Sequence, residues 1–106
     1  MTRVAITNGK GAWFNTDSAQ KIEEESYHDG YNFISEATGS QWEHECLWIT
    51  RGGKFVLNHW SQYQGGVETY KLIDKKEAAE WISKQSFEWD DIPGIFRGEV
   101  ESFEII

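Results

Sequence analysis

The chain predicts an α+β fold: a small antiparallel β-sheet, centred on a three-stranded meander over residues about 43–73, packed against one or two α-helices. Three observations predict it. Two β-rich runs, His44–Thr50 and Lys54–Trp60, are joined by Arg51-Gly52-Gly53, which is a hairpin signature. A third run, Val67–Ile73, follows the turn at Gln64-Gly65-Gly66, and connections this short make neighbouring strands antiparallel. Asp74-Lys75-Lys76-Glu77 then supplies the N-cap and the N3 acid of a capping box, and Ala78, Trp81, Ile82 and Gln85 share one face of the helix it opens.

The remaining elements follow from shorter signals. Residues 3–7 alternate weakly and predict an opening strand, closed by Asn8-Gly9, a pair that accepts the positive φ angles of a tight turn. Asp17 followed by Gln20 resembles a capping box, and Ala19 and Ile22 mark an apolar side, so a short helix is expected from Asp17 to about Glu25. Asp29-Gly30, flanked by Tyr27 and Tyr31, predicts a small hairpin, and residues 35–41 a loop. After the turn at Ile92-Pro93-Gly94, the alternation of residues 99–106 predicts a terminal strand.

Composition sets the broad class. The 106 residues are read as a single α+β domain, with no repeat or low-complexity linker to divide them. Six Trp, six Phe and four Tyr supply apolar area that a modest aliphatic content would otherwise lack. Ten Lys plus Arg against 18 Asp plus Glu give a net charge of −8, which argues against direct contact with nucleic acid or an anionic membrane. A lone cysteine, Cys46, excludes an internal disulfide and fits a reducing compartment. With neither a secretory signal nor an apolar run long enough to span a bilayer, a cytoplasmic location is expected.

Gly39-Ser40-Gln41-Trp42-Glu43-His44-Glu45, the Thr50–Gly53 turn, His59-Trp60-Ser61-Gln62-Tyr63-Gln64-Gly65 and Glu77-Ala78-Ala79-Glu80-Trp81 together resemble a pattern found in small bacterial proteins with no established activity. The resemblance spans about residues 13–85. It implies a bacterial cytosolic domain and carries no chemistry with it.

Three constellations bear on function. His44 and Cys46, two apart on a strand, point to one side, with His59 on the next strand and His28 in the earlier hairpin. Their spacing matches no zinc-finger or ribbon pattern, so no metal or other cofactor is expected. Glu43 and Glu45 flank His44, a group that titrates near neutrality, but alternation turns both glutamates away from it. Neither a nucleophile elbow nor a phosphate loop is present. The third constellation is aromatic: Trp60-Ser61-Gln62-Tyr63-Gln64 falls in an expected inter-strand connection, where the rings cannot all be core, and Trp42 precedes the first meander strand.

The expectation is a non-enzymatic protein-binding or adaptor domain that contacts a neutral or basic protein through Trp42, His44, Trp60, Gln62, Tyr63 and Gln64, without catalytic residues. The alternative is a small enzyme or small-ligand-binding protein using His44, His59 and the neighbouring glutamates. A third reading is an acidic mimic of nucleic acid. Strand edges around 67–73 or 99–106 also leave pairing between two copies open.

Overall fold

Strands Glu43–Ile49 (β6) and Phe55–Ser61 (β7) form the centre of the molecule, paired in register from Glu43 opposite Ser61 to Ile49 opposite Phe55. The structure is a computed structural model and describes residues 1–63 and 65–106. Among the described residues, six further strands precede or follow the pair: β1 (Arg3–Ala5), β2 (Trp13–Asn15), β3 (Gln20–Glu23), β4 (Ser26–His28), β5 (Phe33–Ser35) and β8 (Thr69–Ile73). The main sheet has the order β3-β6-β7-β8 and is antiparallel throughout, while β1-β2 and β4-β5 are separate hairpins. The α+β class and the meander hold, with β3 added to the free edge of β6.

Alternation divides the side chains of this sheet between two faces. Leu47, Leu57, Phe55 and Ile73 face helices α1 (Lys75–Ser83) and α2 (Gly94–Glu101), where Trp81, Ile82 and Phe96 complete the core. Leu47 and Phe96 are wholly buried, and the Phe55 and Phe96 rings lie 5.2 Å apart. On the opposite face Phe14, carried by the β1–β2 hairpin, packs against Trp48 at 5.7 Å and Tyr70 at 6.1 Å. The hairpin is also tied to the outer edge of β8, where the Thr7 amide donates to the Tyr70 carbonyl. That bond occupies part of the edge at which pairing between copies was considered.

Helix α1 begins as its sequence dictates. The Asp74 carboxylate accepts from the Glu77 amide at 2.8 Å, and the Glu77 carboxylate accepts from the Asp74 amide. Ala78, Trp81, Ile82 and Gln85 are all buried, as their shared face requires.

Two expected elements are corrected. Residues 17–25 do not form a helix: the Asn15 carboxamide caps a single 3-10 turn, Thr16–Ser18, and the chain then enters β3. The exposed edge of β6 offers a complete ladder to Gln20–Glu23 and sets Ile22 opposite Leu47, a tertiary pairing that outweighs weak local preference. Residues 99–106 do not form a strand, so no edge is available there either. Pro93, unable to continue a preceding helix, stands at the N-cap of α2, and Phe96 and Val100, four apart on the helix, join Ile92 against the core. The alternation at Glu101–Ile105 belongs to the end of that helix and a short tail, in which Phe103 packs against the core and its neighbours are exposed. No helix among the described residues is long and apolar enough to cross a membrane.

Replacing Asp74 by Ala removes the cap of α1 and should lower unfolding free energy by about 1 kcal/mol. In a urea titration the midpoint falls with the slope unchanged; an unmoved midpoint would show that the box contributes nothing.

Candidate functional site

The β6–β7 register gathers the aromatic segments at the end of the sheet where β6 begins and β7 finishes. Trp42 immediately precedes β6, and the Gln62 amide donates to its carbonyl at 2.9 Å, one step beyond the Glu43–Ser61 pair. The two flanking rings meet across this gap: Trp42 and Tyr63 lie 5.5 Å apart and are 41% and 56% exposed. A serine positions each. Ser40 Oγ accepts from the amides of Trp42 and Glu43, and Ser61 Oγ accepts from the amide of Tyr63. The chain then returns so tightly that a Cβ on Gly66 would stand 2.8 Å from that of Ser61, so only glycine fits.

Behind this pair, His44 and Trp60 sit on opposed strand positions with rings stacked 5.7 Å apart. Trp60 therefore lies within β7 and not in the connecting loop expected for it; the ladder continues through Ser61 before the chain turns. Five of the six residues expected to bind, Trp42, His44, Trp60, Gln62 and Tyr63, thus share one end of the sheet. The sixth, Gln64, lies outside the described residues.

An open cleft of about 270 Å³ joins them to the β4–β5 hairpin. Its walls are Asn32, Phe33, Gln41, Trp42, His44 and Gln62. Among the described residues, three primary amides therefore line a cleft walled by the rings of Phe33, Trp42 and His44. Phe33 is 69% exposed and meets His28 edge-on at 5.0 Å. Its hairpin is held by Asp29, whose carboxylate accepts from the amides of Asn32 and Tyr31 at 2.8 Å; those bonds hold the acid below its usual range.

His44 is oriented by a residue that carried no signal in the sequence. Glu24, just past β3, accepts from His44 Nδ1, Ser35 Oγ and the Glu45 amide, each at 2.7 Å. With both carboxylate oxygens accepting, Nδ1 carries the proton of the histidine bond. His44 Nε2 is buried without a partner among the described residues.

On the helix-facing side, His59 bridges two carboxylates, Nε2 to Glu43 at 2.8 Å and Nδ1 to Glu45 at 3.2 Å. Glu45 also accepts from Trp81 Nε1 at 3.1 Å, tying α1 to this end of the sheet. Burial works against a charged His59 ring, but the hydrogen bonds to Glu45 and Glu43 prevail and raise its pKa above the ordinary histidine value. Both ring nitrogens of His59 are thus engaged by the two glutamates.

Alternation also separates the residues considered for metal binding. His44 and Cys46 lie on one face and His59 on the other, and no group of three or more His, Cys, Asp or Glu among the described residues could hold a metal ion. Burial pushes the Cys46 thiol up to about 11, and its Sγ donates to Asn58 Oδ1 at 3.5 Å, so it packs as a small apolar group. Comparison with protein-family models, curated proteins and solved structures finds no significant match.

Sequence reasoning missed Asn32, Phe33 and Glu24. Asp29-Gly30 marks the hairpin of Asn32 and Phe33, but nothing local indicates that its tip reaches Gln62, thirty residues on.

Two outcomes test the geometry. Glu24→Ala strands three buried or half-buried donors and should cost about 3 kcal/mol in chemical denaturation; a change below about 1 kcal/mol would mean that water replaces the carboxylate. His59, with its pKa raised by folding, stabilises fully below its unfolded value of about 6.5 and loses that contribution as pH rises through the folded value. The stability difference between wild type and His59→Gln should therefore shrink from about pH 5 to about pH 9. A difference constant with pH would show that the ring contributes packing alone.

Proposed function

We propose that this chain is a non-enzymatic protein-binding domain, an adaptor, whose recognition surface is the Trp42–Tyr63 end of the sheet. The observation that carries the reading is the exposed ring pair, held by serine–backbone bonds beside an amide-lined cleft. Exposed Trp and Tyr supply contact area at small entropic cost and are enriched among residues that dominate binding energy. Gln41, Gln62 and Asn32 add donors and acceptors suited to the backbone of a bound segment. His44 and Trp60 form the half-buried support beneath them. Binding surfaces on rigid elements lose little freedom on association, and here both rings flank the central strand pair.

The partner fits best as a neutral or basic protein. The chain carries a net charge of −8, and Glu43, at 35% side-chain exposure, borders the same end. A reducing cytosol, bacterial if the sequence resemblance is followed, accords with a buried free thiol.

Affinity capture from a host lysate with wild type and a Trp42→Ala, Tyr63→Ala variant tests this. Both side chains are exposed, so the variant should unfold at nearly the wild-type temperature. A stoichiometric protein retained by wild type and lost by the folded variant is the expected result. The same protein retained equally by both would put the interface elsewhere.

A further inference from the structure

At the opposite end of the sheet, beneath the β1–β2 hairpin, lies a second and larger cavity of about 350 Å³. Its size is at the lower end of the ~300–1,000 Å³ typical of small-molecule sites. The floor is apolar and firm: Val56 is wholly buried and Phe14 nearly so, and Leu72 and Ile6 extend it. Trp13 forms a wall, 45% exposed, with the Arg3 guanidinium 5.7 Å from its ring centroid. The mouth is formed by the β6–β7 turn, which contributes Thr50, Arg51, Gly52 and Lys54.

The charge of this cavity departs from that of the chain. No Asp or Glu is among its lining residues, although the chain holds 18 of them, while Arg51 and Lys54 both are. Among the described residues, Arg3, Arg51 and Lys54 have no carboxylate within ion-pair distance, so their charge is available to a ligand. The turn that presents two of them is fixed. The Thr50 amide donates to the Lys54 carbonyl at 2.8 Å, the Lys54 amide donates to Thr50 Oγ1 at 3.0 Å, and Gly53 holds a φ of 78° that favours glycine.

We infer that this cavity binds a small aromatic carboxylic acid, its ring on Leu72 and the exposed edge of Phe14 beside Trp13, its carboxylate at Arg51 and Lys54. An apolar floor alone would accept any small hydrophobe. The two cations at the mouth favour a molecule with one anionic end, because a guanidinium and an ammonium give charge-assisted hydrogen bonds to a carboxylate. The volume admits one ring and a short chain. This site is independent of the aromatic end and of any partner bound there.

The test titrates the isotope-labelled full chain with 3-phenylpropionate, with 3-phenylpropan-1-ol and with acetate, following backbone amide signals. The acid should shift signals of residues 13–15 and 50–54 saturably. The alcohol should bind about tenfold more weakly, since it forgoes the charged contacts, and acetate should not saturate. An Arg51→Ala, Lys54→Ala variant, altered only at exposed turn positions, should bind the acid about tenfold more weakly and the alcohol unchanged. Trp13→Ala should weaken both aromatic probes. The inference is overturned if the acid gives no saturable shift at millimolar concentration, if acid and alcohol bind alike, if acetate binds as well as the acid, or if the shifts fall at Trp42–Tyr63.

Discussion

The register of β6 against β7 is the constraint on which the other features depend. Pairing Glu43 with Ser61 and Ile49 with Phe55 puts Leu47, Leu57 and Phe55 toward the helices, and His44, Cys46 and Trp48 toward the hairpin. A slip of one residue would exchange the faces, putting Glu45 and His59 where Cys46 and Asn58 are buried. Leu47 alone, wholly enclosed, would forfeit about 2 kcal/mol of burial. The same register brings Trp42 to Tyr63 at one end and sets Arg51 and Lys54 at the other. Both candidate surfaces are thus products of one hydrogen-bond ladder.

Charge is distributed along this ladder unevenly, and much of the acid content is structural. Glu24 holds His44 and Ser35, Glu43 and Glu45 hold His59, and Glu45 anchors Trp81. Glu68 accepts from Asn58 and Tyr70 on the other face, and burial together with that carboxylate pushes the Tyr70 hydroxyl up to about 12. A buried donor left without its carboxylate would cost more than the bond contributes, so these acids are fixed by the groups they satisfy. Part of the negative charge in this chain therefore serves to satisfy buried and half-buried donors. The cavity beneath the β1–β2 hairpin, whose mouth carries Arg51 and Lys54, has none of these acids in its lining.

The parts legible in the sequence were those specified by contiguous residues. The meander, the Asp74 capping box and the Asp29-Gly30 hairpin each rest on signals within a few positions, and each formed as read. Strand β3 was illegible because Gln20-Lys21-Ile22-Glu23 has no strand preference of its own; its conformation is imposed by the open edge of β6. Helix α2 was overlooked because the alternation after Glu99 masked the spacing of Ile92, Phe96 and Val100, which only a docking surface turns into a helix. Trp42, Gln62 and Tyr63 could be singled out as aromatic and amide residues at strand ends. That they meet one another, and that Phe33 and Glu24 join them, depends on pairings between residues far apart in sequence.

The two ends are joined by the same seven-residue strands, about 20 Å from one end to the other at the rise of an antiparallel strand. Coupling over that distance would need an element with two discrete arrangements that both sites bias. The intervening residues are poor candidates: Leu47 and Val56 are fully enclosed, and Asn58 is bound to Glu68 and the Thr69 carbonyl. A close-packed sheet of this kind resists small displacements. The arrangement favours two autonomous surfaces on one rigid support: the exposed Trp42–Tyr63 pair at one end and the cavity beneath the β1–β2 hairpin at the other.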